Sequence, residues 1–360
     1  MQCPHYPRRL DNLRNKLREN DCDAFFSIDP MDNAYLTGFF GSTSAVMVTL
    51  ESARLLCDFR YAEQASSLDS GVEVVECTGD LDRRLGEQLR DAGPEQAAFD
   101  PGTLTLARFE KVQDAFRQPV SPVAGICRTL REIKEPGEIE RISGASQLAE
   151  AALEEVLKTL KEGMREQEFA ALLEYEFRKR GARRASFDTI ALFGARSSLP
   201  HGVPTDKPLE IGDIVLIDCG CVLDGYCSDL TRTFVFGRIP GNWFLDVYEC
   251  VRQAQEAAVL SVCAGARTKA VDSVARTPIT QAGFGDRFGH GTGHGVGLEV
   301  HEDPRLNTQS EAVLEAGMVV TVEPGIYLPG EGGVRIEDLV TVTEEGCIVL
   351  TKTSKELRIL

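Results

Sequence analysis

The run Ile214-Val-Leu-Ile-Asp218, followed by Asp224-Gly225 and then by Asp229-Leu-Thr-Arg-Thr-Phe-Val235, constrains this chain more than any other stretch. An Asp-Gly pair between two apolar, β-branched runs is the signature of a two-residue hairpin turn. Such a turn sets the register. Leu223 then faces Tyr226, Asp218 faces Thr231, and Asp229 lies on the same face two residues from that partner. Diagonal neighbours of this kind are roughly 7–8 Å apart at Cα, so the two carboxylates can converge on one ion. Asp218 ends a run with the look of a buried strand, and a buried carboxylate is costly or protonated unless a cation compensates it.

Two glutamates repeat the pattern. Glu323 closes the apolar strand expected over Met318–Val322, and Glu337 sits inside another expected over Val334–Val342, with Arg335 on its own face. Strands of valine and isoleucine offer a glutamate no water. Histidine is scarce, with 5 in 360 residues, yet His290, His294 and His301 fall within one glycine-rich segment, and His201 stands in Leu-Pro-His-Gly. The interleaved glycines discourage a helix and let backbone approach a bound species closely. Asp218, Asp229, Glu323 and Glu337 carry four negative charges, which two divalent cations would neutralise, with His294 completing the ligand set. Five ligands leave room for a bridging water, whose pKa a metal pair lowers towards neutrality, giving a hydroxide able to attack a carbonyl. Four oxygens, one nitrogen and no thiolate favour Mn²⁺, with Co²⁺, Fe²⁺ and Zn²⁺ as further candidates. A thiolate zinc site on Cys219, Cys221, Cys227 and Cys250 lacks Cys-x₂-Cys spacing, and alternation turns Cys219 and Cys221 away from Asp218, into packing.

A chain of 360 residues exceeds what one core usually organises. Leucines 10, 13 and 17 predict a helix over 9–19. Apolar runs at 24–28, 45–50 and 72–75 read as strands, and helical patterns recur at 81–89 and 104–116. Beyond the turn-rich 117–125 segment, Pro136 and Glu138 open a long helix. The expectation is therefore an α/β domain over 1–127 and an α+β domain over 128–360. The formal charge of −17 excludes phosphate backbones and anionic lipid as natural partners. The opening residues hold no apolar stretch of signal-peptide character, no run approaches bilayer length, and the 11 cysteines form no Cys-x-x-Cys pair. A cytoplasmic protein is expected.

These motifs resemble those of the pita-bread metallopeptidases, family M24, and within it the proline-specific branch of Xaa-Pro aminopeptidase and Xaa-Pro dipeptidase (prolidase). The resemblance extends to Asn33-Ala-Tyr-Leu-Thr-Gly-Phe39 and Asp58-Phe-Arg-Tyr61 of a creatinase-like N-terminal domain. It implies an α/β creatinase-like domain before an α+β pita-bread catalytic domain, and a dinuclear centre on Asp218, Asp229, His294, Glu323 and Glu337. It also implies that His201 and His301 contact substrate and stabilise the tetrahedral intermediate, that His290 lines the site near the prolyl ring, and that Arg335 orients Glu337. The implied substrates are proline-containing peptides or dipeptides, cleaved by a metal-bridging hydroxide in a homodimer. Glu323, beside the nucleophile, is the candidate proton carrier. Dipeptidase and aminopeptidase both remain open. So do a peptide-binding module without catalysis and a methionine aminopeptidase-like enzyme, although the latter normally lacks such an N-terminal domain.

Overall fold

The leucine stripe at 10, 13 and 17 folds into the helix Tyr6–Glu19, which buries all three residues. In the computed structural model, which describes residues 5–360, the chain divides into two compact units between Arg131 and Glu132. That point lies a little past residue 127, because the helix Ile126–Glu132 runs through the expected boundary.

The first unit is built on a six-stranded mixed sheet in the order Glu73–Glu76, Ala53–Cys57, Ser44–Thr49, Ala24–Ser27, Ala97–Phe99, Val120–Pro122. Phe26, Phe99, Leu85, Leu89 and Phe116 form its core with the helices Leu81–Ala92 and Leu106–Phe116. Three of these strands and the helices Pro30–Thr37 and Phe59–Ser66 are additional to the sequence expectation. Ala97–Phe99 and Val120–Pro122 have three residues each, too few to show a period.

Asp32 of this unit is buried with Arg131 Nη1 3.6 Å away, and burial, followed by the charge of Asp29, pushes its carboxyl up to about 7. An unfolded aspartate titrates near 3.9, so between these values the native state keeps a proton that the unfolded chain has released. Stability therefore falls as pH rises through that window. Asp32→Asn should gain on the wild type between about pH 5 and about pH 8, by at most about 3 kcal/mol. Thermal melts at the two pH values check this, and a pH-independent difference contradicts it.

In the second unit Pro136 occupies the first turn of the helix Pro136–Leu157, and the Glu138 carboxylate accepts from the Glu135 N–H at 2.9 Å. The other Glu138 oxygen accepts from the Tyr226 hydroxyl at 2.8 Å, which ties this helix start to the hairpin. With Glu166–Lys179 the helix covers a three-stranded antiparallel sheet of Ile190–Phe193, Ile214–Cys219 and Leu230–Val235. Phe169, Phe177 and Phe193 are fully buried there, each worth about 2–3 kcal/mol. A second helix pair, Asn242–Leu260 and Thr268–Gln281, packs on a five-stranded sheet that contains Gly293–Gly295, Val319–Val322 and Asp338–Val342. Two halves thus share one plan, a helix pair on an antiparallel sheet, which no sequence repeat announces. The strand expected over 334–342 is interrupted. Gly332–Arg335 pairs with Gly325–Leu328 in a separate ribbon, and Asp338–Val342 pairs with Val319–Val322, so Glu337 occupies the break between them. Among the described residues no helix is long and apolar enough to cross a membrane.

Candidate metal centre

Asp224 and Gly225 both adopt positive φ, 49° and 87°, the conformation of a tight hairpin turn. Leu223 pairs with Tyr226 and Asp218 with Thr231, so Asp229 is the diagonal neighbour of Asp218. Gly220, beside them, permits the closure, since a Cβ there would stand 1.9 Å from the Ser228 carbonyl oxygen. Gly293 does the same for the histidine segment. A Cβ on it would stand 1.9 Å from the Thr321 carbonyl oxygen, so glycine lets the His294 strand press against the strand that ends at Glu323.

The structure brings the five candidate residues together. Carboxylate oxygens of Asp218, Asp229 and Glu337 all lie within 4.8 Å of one another. His294 Nε2 is 3.3 Å from Glu323 Oε1 and 3.7 Å from Asp229 Oδ2, so Asp229 belongs to both groups. The His294 Nδ1–H donates to the Gly295 carbonyl at 3.1 Å, which turns Nε2 towards the acids. The Thr321 hydroxyl accepts from the His294 N–H at 3.0 Å and donates to Glu323 Oε1 at 3.3 Å.

The electrostatics calls for cations. Asp218 Oδ1 and Asp229 Oδ1 are buried without a hydrogen-bond partner. Burial, and then the neighbouring carboxylates, push Asp229 and Glu337 well above the usual carboxylate range. Asp218 also rises, through burial against the opposing pull of Arg335. Glu323 runs the other way: burial raises it, but the hydrogen bond and charge of His294 carry it down to about 2. Hard oxygen donors with unused lone pairs and one imidazole nitrogen are a donor set that fits divalent metal ions.

Around this cluster a cavity of about 500 Å³ is lined by His201, His290, His294, His301, Asp218, Asp229 and Glu323. The His301 ring centroid is 4.5 Å from that of His294. Burial, then His294 and Arg305, bring His301 down to about 4, so at neutral pH it is an uncharged donor. Arg335 differs from expectation in its contacts. Its Nη2 donates to Asp218 Oδ2 at 2.6 Å, and it reaches Glu337 only through Thr231, whose hydroxyl accepts from Arg335 Nε at 3.1 Å and donates to Glu337 Oε2 at 2.7 Å. Being almost fully buried, Arg335 sets the positions of two acids more readily than it meets a substrate.

Three residues here were overlooked in the sequence. Thr231 is one. Tyr327 is the second: its hydroxyl accepts from Arg335 Nη1 at 2.7 Å and lies 2.9 Å from His290 Nε2. His290 Nδ1 donates to the Gly291 carbonyl, so the phenol donates to Nε2, and burial holds that phenol at about 12. Its position in Glu323-Pro-Gly-Ile-Tyr, on a strand leaving the acidic cluster, was the available signal. Arg305, on the cavity wall, is the third. The cysteines contribute packing. Cys219 and Cys221 lie in one core cluster and Cys250 packs against another, while burial pushes Cys221 to about 11 and Cys227 to about 12, which disfavours thiolate ligation.

Residues 140–344 match the family model described as metallopeptidase family M24, and residues 9–133 match the creatinase/prolidase N-terminal domain. The chain belongs to metallopeptidase family M24. A curated relative, the Xaa-Pro dipeptidase of Pyrococcus furiosus, is 38% identical over 97% of this chain and 99% of its own length. Among solved structures, an Xaa-Pro dipeptidase from Bacillus anthracis superposes with a TM-score of 0.96 at 40% identity, covering 99% of this chain and 100% of that one. An X-Pro aminopeptidase from Thermotoga maritima gives 0.90 at 37% identity over 96% and 100% of the two chains. The architecture is thus a creatinase-type N-terminal domain followed by the M24 pita-bread catalytic domain, in a family of metal-dependent hydrolases.

Proposed function

We propose that this M24 enzyme hydrolyses the Xaa-Pro bond, with Asp218, Asp229, His294, Glu323 and Glu337 holding two divalent ions, Mn²⁺ first among them. The observation that carries the reading is the convergence of four carboxylates and one imidazole nitrogen at the floor of an open cavity. When bound, such ions supply a water acidified towards neutrality and polarise the scissile carbonyl. The chain's own residues do the rest. Glu323, the least buried of the four acids, takes the proton of the attacking water and delivers it to the imino nitrogen of the departing proline. His301 and His201, on the cavity wall, donate to the oxyanion that develops on the carbonyl, an interaction stronger in the transition state than in the ground state. His290, held by Tyr327 and Gly291, presents its ring edge to the prolyl side.

Proline's nitrogen carries no hydrogen in a peptide bond, so the site recognises the ring by shape. Of the two arginines on the cavity wall, Arg335 is paired with Asp218, and Arg305 suits the free carboxylate of a dipeptide. Reduced, buried thiols fit a cytoplasmic home, and the expected homodimer rests on family resemblance alone. The test is a comparison of Xaa-Pro, Xaa-Pro-Xaa and Xaa-Ala substrates with Mn²⁺ present. Hydrolysis of Xaa-Pro well above the other two is the expected result. Equal rates on Xaa-Ala contradict proline specificity, and preference for Xaa-Pro-Xaa assigns an aminopeptidase.

A further inference from the structure

Glu323 and Glu337 flank the last rung of one antiparallel ladder, the pair Val322 and Asp338. What lies behind that rung is a hub of buried polar groups drawn from three other parts of the chain. Asp338, 1% exposed, accepts two donors on each oxygen: Arg232 Nη2 at 2.8 Å and the Thr351 hydroxyl at 2.9 Å on Oδ1, Gln255 Nε2 at 3.0 Å and Lys355 Nζ at 2.9 Å on Oδ2. Gln255 spans the rung, since its Nε2 also donates to the Val322 carbonyl at 3.3 Å, and its Oε1 accepts from Lys355 Nζ at 2.9 Å. Arg232 Nη1 donates to the carbonyls of Glu337 and of Thr231, the residue whose hydroxyl binds the Glu337 carboxylate.

At the strand break Ile336–Glu337 the Glu337 N–H donates to the Thr231 carbonyl at 3.2 Å, so its position is shared between that bond and the contacts of the hub. Thr351, Thr353, Ser354 and Lys355 belong to the C-terminal segment. Beyond them the segment is fastened by Leu360, whose N–H donates to the Val235 carbonyl at 2.8 Å. We infer that Lys355 is a positioning residue of the metal centre: through Asp338 and Gln255 it sets the spacing of Glu323 and Glu337, making the C-terminal segment a working part of the site. The inference rests on the metal reading proposed above. Groups that hold ligands in place commonly control metal affinity by about 10–100-fold. Lys355 is the member of the hub best suited to substitution, because its side chain is partly exposed and leaves the core intact when shortened.

The experiment titrates Mn²⁺ by calorimetry into metal-free wild type, Lys355→Met and Lys355→Arg, with circular dichroism to establish folding and dipeptide kinetics alongside. Lys355→Met should lose about tenfold in affinity for at least one of two Mn²⁺ ions, with kcat reduced and KM little changed, and Lys355→Arg should recover most of both. A role confined to stability would lower the melting temperature and leave affinity alone. Wild-type affinity in folded Lys355→Met therefore overturns the inference. Should Lys355→Met not fold, Thr351→Val removes one donor to Asp338 at nearly constant volume, and is expected to weaken Mn²⁺ binding in the same direction. Unchanged affinity there overturns it equally. A wild type that takes up no Mn²⁺ defeats the metal reading itself, a failure distinct from that of Lys355.

Discussion

Glu323→Gln should yield a folded protein that still gathers metal but turns over an Xaa-Pro dipeptide roughly 10²–10⁴-fold more slowly. Glutamine keeps the shape and one acceptor oxygen, and removes the ability to carry a proton. Among the four acids Glu323 is the most accessible, and its orientation is fixed. Its side chain is 17% exposed at the cavity floor, against 12% for Asp218 and 6% for Asp229, and Thr321 and His294 hold Oε1 from two sides. The loss should fall on kcat, because substrate groups bound by His290 and Arg305 are untouched. Steady-state kinetics on metal-loaded protein, with metal content measured on the same sample, checks this. Near-normal turnover would move proton transfer to another group, with His301 the nearest alternative.

Why this site could be read from one sequence, and where that reading stopped, follows from the range of each contact. Asp218 and Asp229 are joined by a turn whose chemistry fixes register locally, so their approach was computable from the position of Asp224-Gly225 alone. Glu323 and Glu337 were conspicuous because carboxylates in valine-rich strands need a reason to be there. The strand carrying Glu337 nevertheless reads as continuous, since apolar residues recur at 334, 336, 339, 340 and 342 and only pairing partners reveal two sheets. Thr231, Tyr327 and the Asp338 hub escaped for a related reason. Threonine, tyrosine and a lysine near the C-terminus are unremarkable residue types, and the contacts that give them roles span 8 to 106 positions in the sequence. In the first unit the short strands were missed for lack of length, while the longer helices, with stripes of leucine, were placed within a few residues.

Asp229→Asn should move stability in opposite directions depending on whether metal is present. Asp229 is the one residue shared by the two groups of candidate ligands, near Asp218 and Glu337 on one side and His294 on the other. Asparagine has nearly the same volume but takes away a charge and replaces an acceptor with a donor. Affinity for divalent ions should fall by at least about 100-fold, beyond what positioning residues contribute, and dipeptide hydrolysis with it. The metal-free protein should gain. Burial and the adjacent carboxylates hold Asp229 far above the normal range, so at neutral pH the empty site must retain a proton there or bear an uncompensated charge, and either is unfavourable. Removing that group should stabilise the chelator-treated protein, read as a melting temperature above that of metal-free wild type. Thermal unfolding of wild type and variant, each with Mn²⁺ and after exhaustive chelation, should give melting temperatures that cross: wild type higher with metal, variant higher without. A variant less stable in both conditions would mean that Asp229 is held by contacts within the protein rather than reserved for a cation, and the five residues would lose their common purpose.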